Sequence, residues 1–145
     1  MKIGIASDHR GYKLKEEIKK KLQNLEIIDF GTDSEKSTDY PDYAFKLGEA
    51  VASNQVNFGI AICGSGIGIS IACNKVKGIR CAKVDNCEDA KTTRIDNNSN
   101  IIAFSEKIPL NEALKMIEVF IHTDFSNEEK HHRRVAKIIE YEENN

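Results

Sequence analysis

The run Phe58–Lys75, F-G-I-A-I-C-G-S-G-I-G-I-S-I-A-C-N-K, leaves this chain few ways to fold. Ile60-Ala61-Ile62 reads as a buried strand, and Cys63 closes it. Gly64, Gly66 and Gly68 follow at every second position, and Ile69 to Lys75 has helix-compatible spacing with apolar residues at Ile67, Ile71 and Ala72. A strand that passes through a glycine turn straight into a helix is half of a βα unit. The N–H groups of such a turn can face one point, where they and the helix dipole favour negative charge. Cys63 places a thiol there, in a setting that as a class favours the thiolate, and Ser65 adds a hydroxyl.

The spacing G-x-G-x-G is not the dinucleotide fingerprint G-x-G-x-x-G, and no Lys-Ser or Lys-Thr pair follows as in a P-loop. Glycines alone describe a tight βα turn equally well. The thiol beside them turns the balance toward chemistry.

The βα alternation continues through the chain. Lys2–Ser7 predicts a first strand, and Leu14, Ile18, Leu22 and Leu25 mark a helix with Lys and Glu on its other face. Glu26–Phe30 predicts a second strand, then a long polar loop, Gly31–Pro41, and a helix opened by Pro41. Ile79–Val84 and Ile101–Phe104 predict two more strands. A polar helix over Glu88–Ile95 and a turn cluster at Asn97-Asn98-Ser99-Asn100 lie between them. Leu110, Ala113, Leu114, Ile117, Phe120 and Ile121 form the strongest helical stripe, and a last helix spans about Asn127 to Tyr141. This order implies a five-stranded parallel sheet with helices on both faces, a three-layer α/β/α arrangement. Ligands of such sheets bind beyond the carboxyl ends of the strands, where Asp8-His9 and Cys63-Gly64-Ser65 both fall.

At 145 residues the chain is expected to be one domain, 1–145, large enough to bury a core without staples. A net charge of −2 and the absence of Trp argue against nucleic acid or a membrane surface as partner. No apolar run approaches the ~18 residues that span a bilayer, and the N-terminus lacks a signal-peptide pattern. Cys63, Cys73, Cys81 and Cys87 include no C-x-x-C pair, so reduced thiols and a cytoplasmic location are expected.

Two further groups have polar chemistry to offer. Asp8 can serve as a helix N-cap, but His9 beside it adds a group that titrates near neutral pH as a residue type. Lys130, His131 and Arg134 recur at helical spacing, which fits a solvated terminal helix. Yet Glu128, Glu129, Glu140, Glu142 and Glu143 surround them, so the positive charge is local, as in a phosphate clamp. Tyr40 either donates its hydroxyl or packs.

Several segments match one pattern together: S-D-H-R-G after the first strand, T-D-Y-P, I-C-G-S-G-I-G-I-S-I-A-C-N-K, G-I-R, N-x-x-N before I-I-A-F, and H-x-x-R-V. In these the chain resembles the B-type ribose 5-phosphate isomerases, a group that includes allose and galactose phosphate isomerases. The likeness runs from Lys2 to about Ile139. It implies an aldose–ketose isomerase without metal or cofactor, acting on a sugar phosphate as a homodimer or dimer of dimers with sites shared between subunits. By position, Cys63 becomes the base between C1 and C2, and Ser65 with the amides of Gly64, Gly66 and Gly68 holds the enediolate. Asp8 contacts sugar hydroxyls, His9 and Arg134 the phosphate, Asn97 the substrate, and Tyr40 lines the site. Three positions depart from the pattern. Asp96 stands where a ring-opening histidine is usual, Lys130 replaces an arginine, and Glu128-Glu129 replace two glycines. A hexose 6-phosphate isomerase and a non-catalytic phosphosugar binder remain open alternatives.

Overall fold

The computed structural model describes residues 1–145. Its elements are β1 (Lys2–Ser7), α1 (Tyr12–Lys21), β2 (Glu26–Asp29), α2 (Tyr40–Ala52), β3 (Phe58–Cys63), α3 (Ile67–Cys73), β4 (Cys81–Lys83), α4 (Cys87–Asn97), β5 (Ile101–Ser105), α5 (Leu110–His122) and α6 (Glu129–Glu143). The strands pair in the order β2-β1-β3-β5-β4, every pairing parallel. The three-layer α/β/α architecture expected from the alternation is therefore the observed one.

Both faces of the sheet are covered, which is why its strands read as unbroken apolar runs. On one face Ile3, Ile5, Ile60, Ile62, Ile102 and Phe104 pack with Leu14 and Ile18 of α1 and with α5. The α5 stripe of Ala113, Met116, Ile117, Phe120 and Ile121 falls at i, i+3, i+4, i+7 and i+8, so one helix face buries all five. Each large side chain buried there contributes about 1.5–3 kcal/mol, and Phe120→Ala would cost about 3–5 kcal/mol. On the other face smaller strand residues, Ala6, Ala61, Cys63 and Ala103, pack with Ala44, Leu47 and Val51 of α2 and Ile69 and Cys73 of α3. The final helix, α6, packs against α4 and buries Val135.

Several boundaries differ from those the sequence predicts, each for a local reason. The N–H of Arg80 is taken by the side chain of Asn100 at 2.9 Å, and β4 begins only at Cys81. Asn86 caps α4 by accepting the Asp89 N–H at 2.8 Å, and the helix runs on through Asp96 and Asn97 before Asn98 ends it at φ +49°. Leu22 and Leu25 lie past the end of α1 but still pack on the same core. Lys15, expected on the polar face of α1, is wholly buried and reaches Glu16 and Asp29 at 2.8 and 2.5 Å.

Register places the polar strand ends side by side. Ser7 pairs with Ile62 and Cys63 with Ser105. Asp8 and Cys63 thus emerge next to each other between β1 and β3, where the strand order changes direction.

Candidate active site

A pocket of about 760 Å³ opens at that crevice, and Asp8, His9, Tyr40, Cys63, Gly64, Ser65 and Gly68 all line it. Asp8 is no helix cap: α1 starts only at Tyr12. Its Oδ1 accepts the N–H groups of Arg10 and Gly11 at 3.0 and 3.1 Å, which ties down the turn after β1. Its Oδ2 makes no hydrogen bond within the chain. The Thr38 N–H donates to His9 Nδ1 at 3.1 Å, so a neutral His9 ring carries its proton on Nε2. The long loop after β2 therefore sets the orientation of His9.

The glycine turn divides its amides between two uses. Cys63 Sγ accepts the Gly66 N–H at 3.2 Å, and Ser65 Oγ accepts the Ile67 N–H at 3.1 Å. The N–H groups of Gly64, Ser65 and Gly68 have no acceptor within the chain. Gly66 adopts φ +78° and sits directly on the backbone of Phe104 and Ser105, where a side chain has no room. The ring of Tyr40 lies on Gly68, 2.7 Å from where a side chain would begin, so the tyrosine forms a wall of the pocket through packing.

The other expected site residues stand apart from this pocket. Asp96 and Asn97 occupy the last turn of α4. Asp96 Oδ1 lies 3.5 Å from Nε2 of His131, whose Nδ1 is 2.8 Å from Ser126 Oγ. His131 is thus turned inward and buried, while Lys130 and Arg134 stay exposed on the outer side of α6. The shared cationic face expected from the spacing is divided in this way. Lys130 lies 3.8 Å from Glu128, and Arg133 binds Glu129 at 2.6 Å.

The four cysteines also separate. Cys73 and Cys81 meet in the core under α2 and α3. A hydrogen bond with Cys73, and then burial, hold the Cys81 thiol well above the ordinary range. Cys87 opens α4. Only Cys63 lines the strand-end pocket.

Six pocket residues, Arg10, Thr38, Asp39, Pro41, Asp42 and Lys107, are not among the site residues expected from the sequence. Arg10 Nε and Nη2 donate to Glu106 Oε1 at 3.3 and 2.9 Å, and its guanidinium lies against Gly64. The hydrogen bond to Glu106, and then its charge, raise the Arg10 pKa above its ordinary value. The Thr38 hydroxyl is buried without a partner in the chain. Arg10 and Lys107 follow strands directly, so the rule that ligands bind beyond strand ends could have found both.

A parallel α/β sheet with a thiol and open amide donors at its switch point defines a protein suited to proton transfer beside a carbonyl. The ribose/galactose isomerase family matches residues 3–138, and the chain belongs to that family. It is 46% identical to ribose-5-phosphate isomerase B of Clostridium thermocellum, with a TM-score of 0.94 over 99% of both chains. The Mycoplasma genitalium ribose-5-phosphate isomerase B, solved with bound ribulose 5-phosphate, is 36% identical with a TM-score of 0.92, covering 99% of this chain and 97% of that one. Ribose-5-phosphate isomerase B of Escherichia coli is 39% identical over 145 residues, 98% of this chain and 97% of that one.

Proposed function

We propose that this protein interconverts ribose 5-phosphate and ribulose 5-phosphate through an enediolate, with Cys63 as the base. The observation that carries this reading is the arrangement at the end of β3. The Cys63 sulfur is held as an acceptor by the Gly66 N–H, beside amides of Gly64, Ser65 and Gly68 that have no partner in the chain. Removing a proton next to a carbonyl builds charge on oxygen, and fixed donors stabilise that charge more in the transition state than in the ground state. Cys63 takes the proton from C2 and returns it to C1. The open amides hold the two oxygens, the Ser65 hydroxyl relays the proton that passes from O2 to O1, and Asp8 Oδ2 accepts a hydrogen bond from a sugar hydroxyl.

His9 offers Nε2–H to the phosphate, whose charge near −2 at neutral pH calls for further cations. Lys107 lies in the same pocket, but Lys130 and Arg134 do not. A second copy of the chain supplies them, together with Asp96 and Asn97, and the working unit is a homodimer. The exposed apolar residues Ile67 and Ile71 of α3 and Ile138 and Tyr141 of α6 support such an assembly. Closed ribose 5-phosphate must open its ring before C2 can lose a proton. The Asp96–His131 pair places a carboxylate acceptor beside a ring donor for that step.

The test is a coupled assay of purified protein with ribose 5-phosphate and with allose and galactose 6-phosphates. The expected result is turnover of the pentose at the highest kcat/KM. Preference for a hexose 6-phosphate would move the assignment within the family, and binding without turnover of any of them would remove Cys63 as a base.

A further inference from the structure

The two peptide units around Gly64 rest on the end of β5. The Glu106 N–H donates to the Cys63 carbonyl at 2.9 Å. The Ser105 hydroxyl donates to the Gly64 carbonyl at 2.7 Å, and its oxygen accepts the Lys107 N–H at 3.0 Å, which leaves its hydrogen for Gly64. A peptide unit is planar and trans, so its C=O and N–H point in opposite directions. Two consecutive carbonyls drawn toward β5 therefore send two consecutive N–H groups, those of Gly64 and Ser65, to the other side. Neither has an acceptor in the chain.

These two anchors differ in kind. The Cys63 carbonyl is held by backbone, which no substitution short of proline removes. The Gly64 carbonyl is held by one side-chain hydroxyl, and glycine has little conformational preference of its own to keep the Gly64–Ser65 peptide from rotating. The packing of Arg10 on Gly64 limits the space but makes no hydrogen bond to this peptide.

We propose that Ser105 is a positioning residue: by holding the Gly64 carbonyl it aims the Ser65 N–H at the oxyanion of the reacting substrate. The inference rests on the isomerase reading above. Ser105 itself does not line the pocket, so its effect passes through what its hydroxyl holds, the Gly64–Ser65 peptide and the N–H of Lys107.

The experiment compares wild type with Ser105→Ala and Ser105→Thr. Kinetics with ribose 5-phosphate are combined with the affinities of two probes, ribitol 5-phosphate and a phosphorylated hydroxamate whose planar N–O group mimics the enediolate. A donor aimed at the transition state should lower kcat when misdirected, about tenfold for Ser105→Ala, with KM close to wild type. Hydroxamate affinity should fall in parallel while ribitol 5-phosphate affinity holds. Ser105→Thr, which keeps the hydroxyl, should restore both. The proposal is overturned if Ser105→Ala keeps the wild-type kcat. It is equally overturned if the affinities for both probes fall together with the melting temperature, since that is loss of local structure and not misdirection of one donor. Wild type without turnover would instead remove the isomerase reading beneath it.

Discussion

The pocket at the end of β3 and the cluster where α4 meets α6 make opposite uses of the same residue types. In the first, three groups at the strand ends are fixed by backbone: Asp8 by two N–H groups, His9 by Thr38, and Cys63 by Gly66. In the second, Lys130 and Arg134 extend from a helix surface among glutamates, and only His131 is buried against Asp96 and Ser126. Strand ends inside a sheet converge on one point, so they can hold groups in the geometry that proton transfer needs. An exposed helix face cannot do that for a reacting carbon, but it can present charge to a phosphate several bonds away. On the proposed function, one chain supplies the base and its oxyanion donors to a site, and a second copy supplies the ring-opening pair and the Lys130 and Arg134 cations.

The largest effect that tests this division is expected from Cys63→Ala. Loss of a positioned base costs ~10²–10⁴ in rate, so kcat should fall by that amount while sugar phosphate affinity stays within a few-fold. A variant that keeps more than half of the wild-type kcat would take the thiol out of the mechanism.

Asp96→Asn should produce an effect that depends on direction. From ribose 5-phosphate its velocity should level off with added enzyme, at the rate of spontaneous ring opening. From ribulose 5-phosphate, already open, it should stay proportional to enzyme. Linear velocities equal to wild type in both directions would exclude Asp96 from ring opening.

Arg134→Ala should raise KM about tenfold with kcat nearly unchanged, because a phosphate contact is made in ground and transition states alike. Co-expression sharpens the comparison further. Cys63→Ala and the double variant Lys130→Ala/Arg134→Ala should each be nearly inactive at low substrate. Mixed dimers should recover activity, since one of their two sites draws an intact thiol from one chain and intact cations from the other. If the mixture is no more active than its parents, thiol and cations are not shared between chains.

The sheet and the strand-end pocket are both legible in the order of the residues. Strands buried on both faces give long apolar runs, and the C-G-S-G-I-G segment marks the pocket. The features that are not legible depend on non-local packing. Asp96 and Asn97 stand apart from the pocket because α4 returns to the amino ends of the parallel strands, where Asn100 accepts the Gly59 N–H, while Cys63 ends β3 at their carboxyl ends; a match read residue by residue does not carry that separation. The Asn97–Asn100 cluster reads as a turn because asparagine favours turns, and the chain does leave the helix there: α4 keeps Asn97 and ends at Asn98, at φ +49°. A buried Lys15 cannot be foreseen on α1, because its partner, Asp29, is on β2.

Lys15 also supplies the smallest predicted effect, one confined to the strand-end half of the molecule. Burial alone would raise the Asp29 pKa, but hydrogen bonds from Lys15, Lys19 and the Gly31 N–H outweigh it and hold the carboxyl below its ordinary value. Glu16 is likewise lowered, with burial opposing and Lys15 and Lys19 prevailing. Gly31 in turn accepts the Ser7 N–H just before Asp8, so this network buttresses the pocket floor. In the unfolded chain the two carboxyls take up protons near ~3.9 and ~4.3, before they do so when folded. Their contribution to stability is therefore complete above about pH 5 and lost as pH falls through that range toward the lowered folded values. Lys19 is raised, chiefly by its hydrogen bond to Asp29, so its share is lost only at alkaline pH, above about 10. Lys15→Met should thus lower stability by about 1–3 kcal/mol at pH 7, read as a fall in melting temperature. The gap to wild type should narrow as the carboxyls protonate between about pH 5 and 3. Such pH dependence is expected of a paired charge, whereas a gap that stays constant across that range would mean that Lys15 contributes through packing alone.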